Sequence, residues 1–481
     1  MGQPFYSIVI PTRDRPDTLH VALKAICAQR CDDVEFIVQD NASGPETKAI
    51  IESFSDPRII YRRSDKRLSM RANFEEGVAA TRGDYITIIG DDDAFCDGAI
   101  DWTVKFLKEH RPDGMRWSLV PYYWPNLCEQ NTGFFWLKMD TYHGGWSWRQ
   151  TSDLARNIAR ANIAGAEESM LIYHGAVSRH VYEQMRSRTG GTFFQYHVPD
   201  AYVHIVMPFI QGPGITGRYI VMEHPLTVYG LSGHSSGQSW YWADAEKRGE
   251  NSPVGKWKRE AASDDRIASS LQTSIRSLQY HNLAVLDLAG KLGLVDPKSI
   301  DVDAWIEVIL KEVRGSPFQV TGYLESEPIY DFDKKLFSRL RKEHKSILRA
   351  PPAAPPRLQT LHDDWAGWHQ LPLRYIWPQL NDDVDGAVAA CAQLIGNEIG
   401  LKAADAIPKG QVQAARDQMK KQLRLLHGRS AEQQEHVTKI LQGSLIEAEV
   451  LPEASGPPVV QGKAFGSSIT RLRALINRIT T

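Results

Sequence analysis

Cysteine is scarce in this chain of 481 residues: there are five, and no two of them form a Cys-x-x-Cys pair. Such a small, scattered and odd-numbered set supports neither a disulfide framework nor a structural zinc site. An excess of one charge is also missing, because the formal net charge is -2. No global field therefore favours nucleic acid as a partner. The cysteine usage predicts a reducing, cytoplasmic compartment.

Long apolar runs are absent as well, since no uninterrupted stretch is long enough to span a bilayer. The segment Met1–Tyr6 lacks the charged and apolar regions of a secretory signal. We therefore expect any membrane contact to be peripheral, at the inner face. Hydrophobic residues make up 42% and charged residues 24%, which is ordinary for a globular protein of more than one domain.

Short apolar runs alternate with segments of helical periodicity between residues 6 and 110. This pattern predicts an α/β fold, with a mainly parallel sheet flanked by helices. In such sheets ligands bind beyond the carboxyl ends of the strands. Three polar clusters lie at predicted strand ends: Pro11-Thr12-Arg13, Asp40-Asn41 and Asp91-Asp92-Asp93.

The acidic triplet Asp91-Asp92-Asp93 directly follows the apolar run Tyr85–Ile89 and Gly90. Adjacent carboxylates repel one another, and a fold accepts them most readily beside a hard cation or a cationic ligand. The pattern therefore predicts a divalent-cation site, in which diphosphate oxygens and water complete the shell. A solvated acidic loop or a helix cap is the alternative.

Other polar residues of these clusters have weaker individual signals. Asp40 is a candidate acceptor for a nucleobase N–H or a ribose hydroxyl, and an Asx-turn is its alternative. Arg13, Arg15 and Arg71 are candidate phosphate partners, although isolated arginines are usually surface charges.

Taken in order, three segments resemble glycosyltransferase family two with the GT-A (Rossmann-like) fold. They are Ser7–Pro16, Val38–Ser43, and Gly83–Ile86 leading into Gly90–Asp93, and the match covers roughly residues 5 to 110. The resemblance implies sugar transfer from a nucleotide diphosphate donor with inversion at the anomeric carbon. It implies that the donor nucleotide is bound by Pro11, Thr12, Arg13, Asp40, Asn41, Arg71, Asp91 and Asp92. The sequence departs from the family pattern at Gly90, where relatives often carry Asp.

The resemblance also implies a metal ion and a general base. Mn²⁺ or Mg²⁺ would be bound by Asp93 and Asp92, and His234, in a loop of small residues, would be a further ligand. Asp200 follows Pro199 before an apolar helix and is the predicted catalytic base. A capping role for Asp200 is the alternative, and Glu167 and Glu168 are competing candidates for the base.

The C-terminal half is charged, helical in pattern and poor in motifs. We predict a catalytic domain over residues 1–240, a helical region over 241–349, and a Pro-rich linker with a helical region over 350–481. The terminal segment has apolar residues at helical spacing beside several arginines. It suits either a homo-oligomer contact or an anionic membrane surface, and both interpretations stay open.

The sequence thus predicts an inverting, metal-dependent glycosyltransferase that uses a nucleotide-sugar donor. The expected acceptor is a hydroxyl of a glycan or a lipid-linked glycan, in bacterial surface polysaccharide synthesis. Two alternatives remain. A sugar nucleotidyltransferase normally carries a Gly-rich phosphate loop after the first strand, whereas residues 11–16 contain no glycine. A non-catalytic scaffold built on a degenerate domain is the other.

Overall fold

The computed structural model describes most of the first 350 residues. The described residues are 2–127, 133–137, 146–162, 169–235, 253–267, 278–314, 328–347, 369–372, 383 and 386–388. The Pro-rich linker, the basic C-terminal segment, and Glu167 and Glu168 lie outside them.

Strands and helices alternate through the first 110 residues, as the sequence predicts. Prolines occupy the first turn of α1 and α2, where a missing backbone N–H costs little. The Ser69 side chain caps α3 by accepting from the Ala72 backbone N–H. The elements are β1 (Tyr6–Thr12), α1 (Pro16–Cys27), β2 (Val34–Asp40), α2 (Pro45–Glu52), β3 (Ile59–Arg63), α3 (Met70–Ala79), β4 (Tyr85–Ile88), β5 (Ala94–Phe95) and α4 (Ala99–His110).

The centre of the sheet is parallel, with β4, β1, β2 and β3 as successive neighbours. Thr12 lies opposite Asp40 in the register of β1 and β2, and Val9 lies opposite Ile88 in that of β1 and β4. Strand β1 continues through Pro11, where the sequence predicted its end. The three polar clusters therefore meet at one edge of the sheet.

The remaining strands make the sheet mixed, with 11 strands among the described residues. Among them, β9 lies antiparallel between β4 and β6, whereas β10 runs parallel to β6 and antiparallel to β5 and β8. The parallel order predicted from the sequence thus holds for the N-terminal part of the sheet. The strands are β6 (Gly114–Tyr123), β7 (Phe134–Leu137), β8 (Trp146–Gln150), β9 (Gly175–Ser178), β10 (Arg218–Leu231) and β11 (His369–Pro372).

One boundary differs from its prediction. The sequence pattern predicts an extended segment over Met170–Gly175 and a helix that begins at Val177. In the structure Val177 instead lies in β9. Its backbone pairs with Ile86 of β4, and this β-branched residue suits the buried sheet. The helix begins only at Arg179, because the Ser178 side chain caps it by accepting from the Val181 N–H.

Helices cover both faces of the sheet. Ile8 and Ile10 of β1 belong to one apolar layer and Val9 to the other, as the two-residue period of a strand requires. The layer of Val9 includes apolar residues of six of the seven described helices that follow residue 150. These later helices are α5 (Thr151–Ala159), α6 (Arg179–Arg188), α7 (Pro199–Val206), α8 (Pro253–Ala262), α9 (Leu278–Lys291), α10 (Val302–Arg314) and α11 (Asp333–Ile347).

The helices after residue 278 pack directly against the catalytic half. Leu283, Trp305 and Leu336 are buried in the same layer as Val9, and the Trp305 indole donates to the Ile158 carbonyl at 2.9 Å. The predicted domain limit at residue 240 stays a prediction. Among the described helices, none combines the length and the apolar character needed to cross a membrane.

Candidate active site

The acidic turn Gly90–Asp93 connects β4 to β5 at the edge where the polar clusters meet. Its carboxylates are buried: Asp91 and Asp93 are 0% exposed and Asp92 is 3% exposed. A solvated acidic loop, one alternative from the sequence, is therefore wrong. Burial of ionised groups requires partners within the protein.

Asp93 is bonded to the protein through both oxygens. Its Oδ1 accepts from the Gly230 N–H at 2.7 Å, and its Oδ2 accepts from the Gly90 N–H and from the Tyr173 hydroxyl. The His174 Nε2 lies 3.1 Å from the same Oδ2. Asp93 thereby ties the turn to β10 and to the segment before β9. A metal ion could use Asp93 only if some of these bonds were broken.

The cation beside the other two carboxylates is Arg15. Its Nη2 lies 2.5 Å from Asp91 Oδ1, and its Nη1 lies 3.2 Å from Asp92 Oδ2. The remaining Asp91 oxygen accepts from the Thr12 hydroxyl at 2.6 Å, and Asp92 Oδ2 also accepts from the Ser232 hydroxyl at 2.8 Å. The sequence named Arg15 only as a phosphate partner. Its position just after β1, next to β4, was the signal that could have placed it here.

Electrostatically, the turn holds more negative than positive charge. Burial raises the pKa of Asp91 and of Asp92, and Arg15 opposes both shifts. Asp92 further raises the pKa of Asp91, and Asp93 further raises that of Asp92. The neighbouring carboxylates keep the pKa of Arg15 above its ordinary value despite the burial of its guanidinium. The site therefore favours additional positive charge.

The carboxylate oxygens suit a divalent ion. Asp91 Oδ1 and Asp92 Oδ2 converge on one cationic group, and oxygen ligands are those that Mn²⁺ and Mg²⁺ prefer. Among the described residues, no group of three His, Cys, Asp or Glu side chains could hold a metal ion. His234 is exposed, two residues beyond Ser232. The donor set thus fits an ion that takes one or two carboxylates and completes its shell with phosphate oxygens.

Asp40 and Asn41 are buried next to β1 and hold the surrounding loops. Asp40 accepts from the Ser43 N–H at 2.9 Å and from the Tyr61 hydroxyl at 2.8 Å. Asn41 bonds the backbone N–H and carbonyl of Leu68 at 2.8 and 2.9 Å. The Asx-turn alternative for Asp40 is thus present in the structure. Donor binding by Asp40 and Asn41 remains a prediction.

Arg13 and Arg71 are paired with carboxylates from the α8 region. Arg13 pairs with Glu260, and the Arg71 Nε donates to Asp264 at 2.7 Å. The Ser69 hydroxyl also donates to Asp264, at 2.5 Å. Sequence reasoning missed both acids, because they lie 247 and 193 residues from their partners and no local pattern marks them.

Asp200 is the second residue of α7, and the N-cap of that helix is Val198, which provides no side-chain cap. The Asp200 side chain is accessible to solvent, yet the surrounding protein desolvates it and raises its pKa. The backbone N–H groups of Asp200 and Ala201, in the first turn of α7, partly oppose this shift. These interactions with the start of the helix keep the capping alternative open, and the role of Asp200 as the base stays a prediction.

Glu75 of α3 holds the segment that leads to Asp200. Its carboxylate accepts from the backbone N–H groups of Phe193 and Phe194, each at 2.9 Å. The Arg71 Nη1 donates to the Phe194 carbonyl at 3.4 Å, which connects the same segment to the donor side of the site. Burial raises the pKa of Glu75. Sequence reasoning did not identify this residue.

The geometry agrees with comparisons to known proteins. Residues 7–151 match the sequence profile of the family described as glycosyl transferase family 2. This region is thus similar to glycosyl transferase family 2 domains. The match confirms the resemblance and the enzyme class predicted from the sequence.

Curated relatives include several glycosyltransferases. A GalNAc(5)-diNAcBac-PP-undecaprenol beta-1,3-glucosyltransferase of Campylobacter jejuni is 31% identical over 109 residues, which are 22% of this chain and 35% of the relative. An abequosyltransferase of Salmonella typhimurium is 35% identical over 100 residues, which are 20% of this chain and 30% of the relative. The chain thus spans about a third of the length of these two relatives.

A solved structure of S. aureus TarS residues 1–349 in complex with UDP-GlcNAc is also similar. The aligned region covers 71% of this chain and 91% of the TarS chain, with a TM-score of 0.39 and 10% sequence identity. The α/β fold is assigned here from the sheet and its flanking helices.

Proposed function

We propose that this protein is an inverting glycosyltransferase that moves a sugar from a nucleotide diphosphate donor to a hydroxyl of a glycan or lipid-linked glycan. The observation that carries the proposal is the match of residues 7–151 to glycosyl transferase family 2, with the buried acidic turn at the carboxyl edge of its parallel strands. Asp200 is the candidate base, because its carboxylate is exposed at the start of α7, on the segment that Glu75 holds. A base and a diphosphate site within one cleft are what an inverting transfer requires.

In this mechanism Asp200 accepts the proton of the acceptor hydroxyl while that oxygen attacks the anomeric carbon. The bond between that carbon and the diphosphate oxygen breaks, and the diphosphate leaves with the bonding electrons from the opposite face. The raised pKa of Asp200 makes its carboxylate a stronger base than an ordinary aspartate.

The donor would lie along the edge formed by Pro11, Thr12, Arg13, Asp40 and Asn41. Arg13 and Arg71 are suited to pair with the diphosphate, and Asp264 orients Arg71 by holding its Nε. Mn²⁺ or Mg²⁺, held by Asp92 with Asp91 or Asp93 nearby, would supply Lewis-acid stabilisation of the leaving diphosphate. We also keep His234 as a candidate ligand.

The acceptor class and the location follow from the relatives. The Campylobacter jejuni relative is named for an undecaprenol-linked glycan, which supports a lipid-linked acceptor and work at the inner face of the membrane. The Salmonella typhimurium relative is named an abequosyltransferase, and this supports a role in bacterial surface polysaccharide synthesis. Assembly into a homo-oligomer through the C-terminal segment is part of the same proposal.

The test begins with thermal shifts for UDP-, GDP-, TDP- and CMP-sugars in the presence of Mn²⁺, because a ligand of the native state raises its stability. The donor found in this way is then assayed for transfer. We expect Asp200→Asn to abolish turnover while the donor-induced shift is retained. Asp17→Asn is the matched control, since Asp17 is exposed and also follows the proline that opens its helix. Full turnover by Asp200→Asn would refute the assignment of the base.

A further inference from the structure

Arg15 occupies the side of the acidic turn that a metal ion would need. Thr12 already bonds Asp91 Oδ2, and the protein bonds both oxygens of Asp93. The oxygens that face the Arg15 guanidinium are Asp91 Oδ1 and Asp92 Oδ2, at 2.5 and 3.2 Å. A divalent ion on Asp91 Oδ1 or Asp92 Oδ2 would therefore share its ligand with this guanidinium, and the two cations would repel each other.

The competition is between cations of different kinds. A guanidinium pairs through a planar fork and also pairs well with phosphate. A small divalent ion needs oxygen ligands on several sides, and the described part of the chain holds no group of three His, Cys, Asp or Glu side chains that could supply them. The ion alone would therefore have to displace Arg15 for only one or two carboxylate oxygens. A diphosphate changes this balance, because it offers oxygens to the ion and a new partner to Arg15.

We propose that Arg15 is a built-in counter-cation that is exchanged for a divalent metal ion only when a nucleotide diphosphate is present. In the donor-free protein Arg15 neutralises Asp91 and Asp92. When the diphosphate enters, Arg15 moves to its oxygens and the metal ion binds the released carboxylates. This inference rests on the proposed nucleotide-diphosphate donor and adds an order to its binding: metal and donor bind together.

The experiment measures Mn²⁺ binding directly, by the loss of the free-ion EPR signal on titration of the purified full-length chain. Wild type is titrated alone, with UDP and with GDP. We expect at least tenfold tighter Mn²⁺ binding with the preferred nucleotide than without it. For Arg15→Gln we expect nucleotide-free Mn²⁺ binding to tighten at least tenfold, because the competing cation is removed.

The matched control is Arg82→Gln. Arg82 is also paired with a buried carboxylate, Glu35, at 2.8 Å, but it precedes β4 at the opposite end of the sheet from the acidic turn. We expect it to bind Mn²⁺ as wild type does. Arg15→Lys keeps the charge but loses the fork, so it should lie between wild type and Arg15→Gln, and it serves if the neutral variant does not fold.

Two results would overturn the proposal. One is wild-type Mn²⁺ affinity that is equally high with and without nucleotide, and the other is nucleotide-free affinity that does not change in the Arg15 variants. If no nucleotide binds, the donor assignment and the exchange both fail, and tighter nucleotide-free binding by Arg15→Gln then shows only that Arg15 opposes the metal ion. If nucleotide and metal bind together but no sugar is transferred, the proposed reaction fails and the exchange stands.

Discussion

Gly90 offers a direct test of the packing around the acidic turn. A Cβ at this position would lie 2.7 Å from the Tyr173 hydroxyl, 2.8 Å from Asp92 Oδ1 and 2.9 Å from Asp93 Oδ2. Those atoms are ends of side chains, but both aspartates are buried, and the Tyr173 hydroxyl and Asp93 Oδ2 are bonded to each other, so they cannot move apart without loss. This crowding gives a physical reason for glycine at position 90.

The size of the effect follows from two opposing contributions. The backbone of Gly90 is not in the left-handed region, so alanine could adopt it. If the space were open, alanine would stabilise the fold by about 0.4–1 kcal/mol, because it lowers the conformational entropy of the unfolded chain. Overpacking of a rigid site costs about 1–3 kcal/mol. We expect Gly90→Ala to lose roughly 1–2 kcal/mol, a fall in Tm of about 2–8 °C for a domain of this size. Gly90→Asp should lose more, because it adds an unpaired carboxylate to the turn.

Thermal and urea unfolding of wild type and the Gly90 variants measure this loss. The double variant Gly90→Ala with Tyr173→Phe removes the nearest hydroxyl, so its destabilisation should be smaller than the sum of the two single changes. If Gly90→Ala is as stable as wild type and shows no coupling with Tyr173→Phe, the crowding argument is wrong. Tighter Mn²⁺ binding by a stable Gly90→Asp would contradict it as well.

Two further predictions concern stability and the segment that carries the proposed base. Glu75→Gln weakens the hydrogen bonds to the Phe193 and Phe194 backbone. We therefore expect the free energy of unfolding in urea to fall by about 1.5–3 kcal/mol and kcat to fall as well. Glu183→Gln, on an exposed surface, is the control and should change neither quantity. Burial lowers the pKa of His224 to about 4. Below pH 6.5 the unfolded chain therefore binds a proton at this residue that the folded chain does not bind. At pH 5 this difference lowers the free energy of unfolding by roughly 2 kcal/mol. His224→Gln should flatten the stability loss between pH 6.5 and 4, and an unchanged profile would contradict this.

The sequence predicted the elements of the fold well where the signal was local. The short apolar runs of β1 and β2, buried along their whole length, and the helical periodicity of α1 and α4 depend on neighbours a few residues apart. Those elements are present where the sequence predicts them. The boundary at Val177 was missed because pairing with β4 decided it. Local propensity does not report such pairing.

The candidate site shows the same division. Its strand ends could be named from the sequence, because parallel strands bring their carboxyl ends to one edge. The sequence also predicted that a cation lies beside the acidic triplet. It did not predict which cation, and the structure places the guanidinium of Arg15 against Asp91 and Asp92.

By itself, then, the sequence determined the α/β architecture, the acidic turn after β4 and the position of Asp200 near the start of a helix. Only the tertiary structure decided that Asp93 is bonded to Gly230, and that Glu260 and Asp264 face Arg13 and Arg71. The physical reason is distance along the chain. Strand and helix patterns depend on residues close together in the sequence. The partner of a buried charge depends on which remote segments pack together.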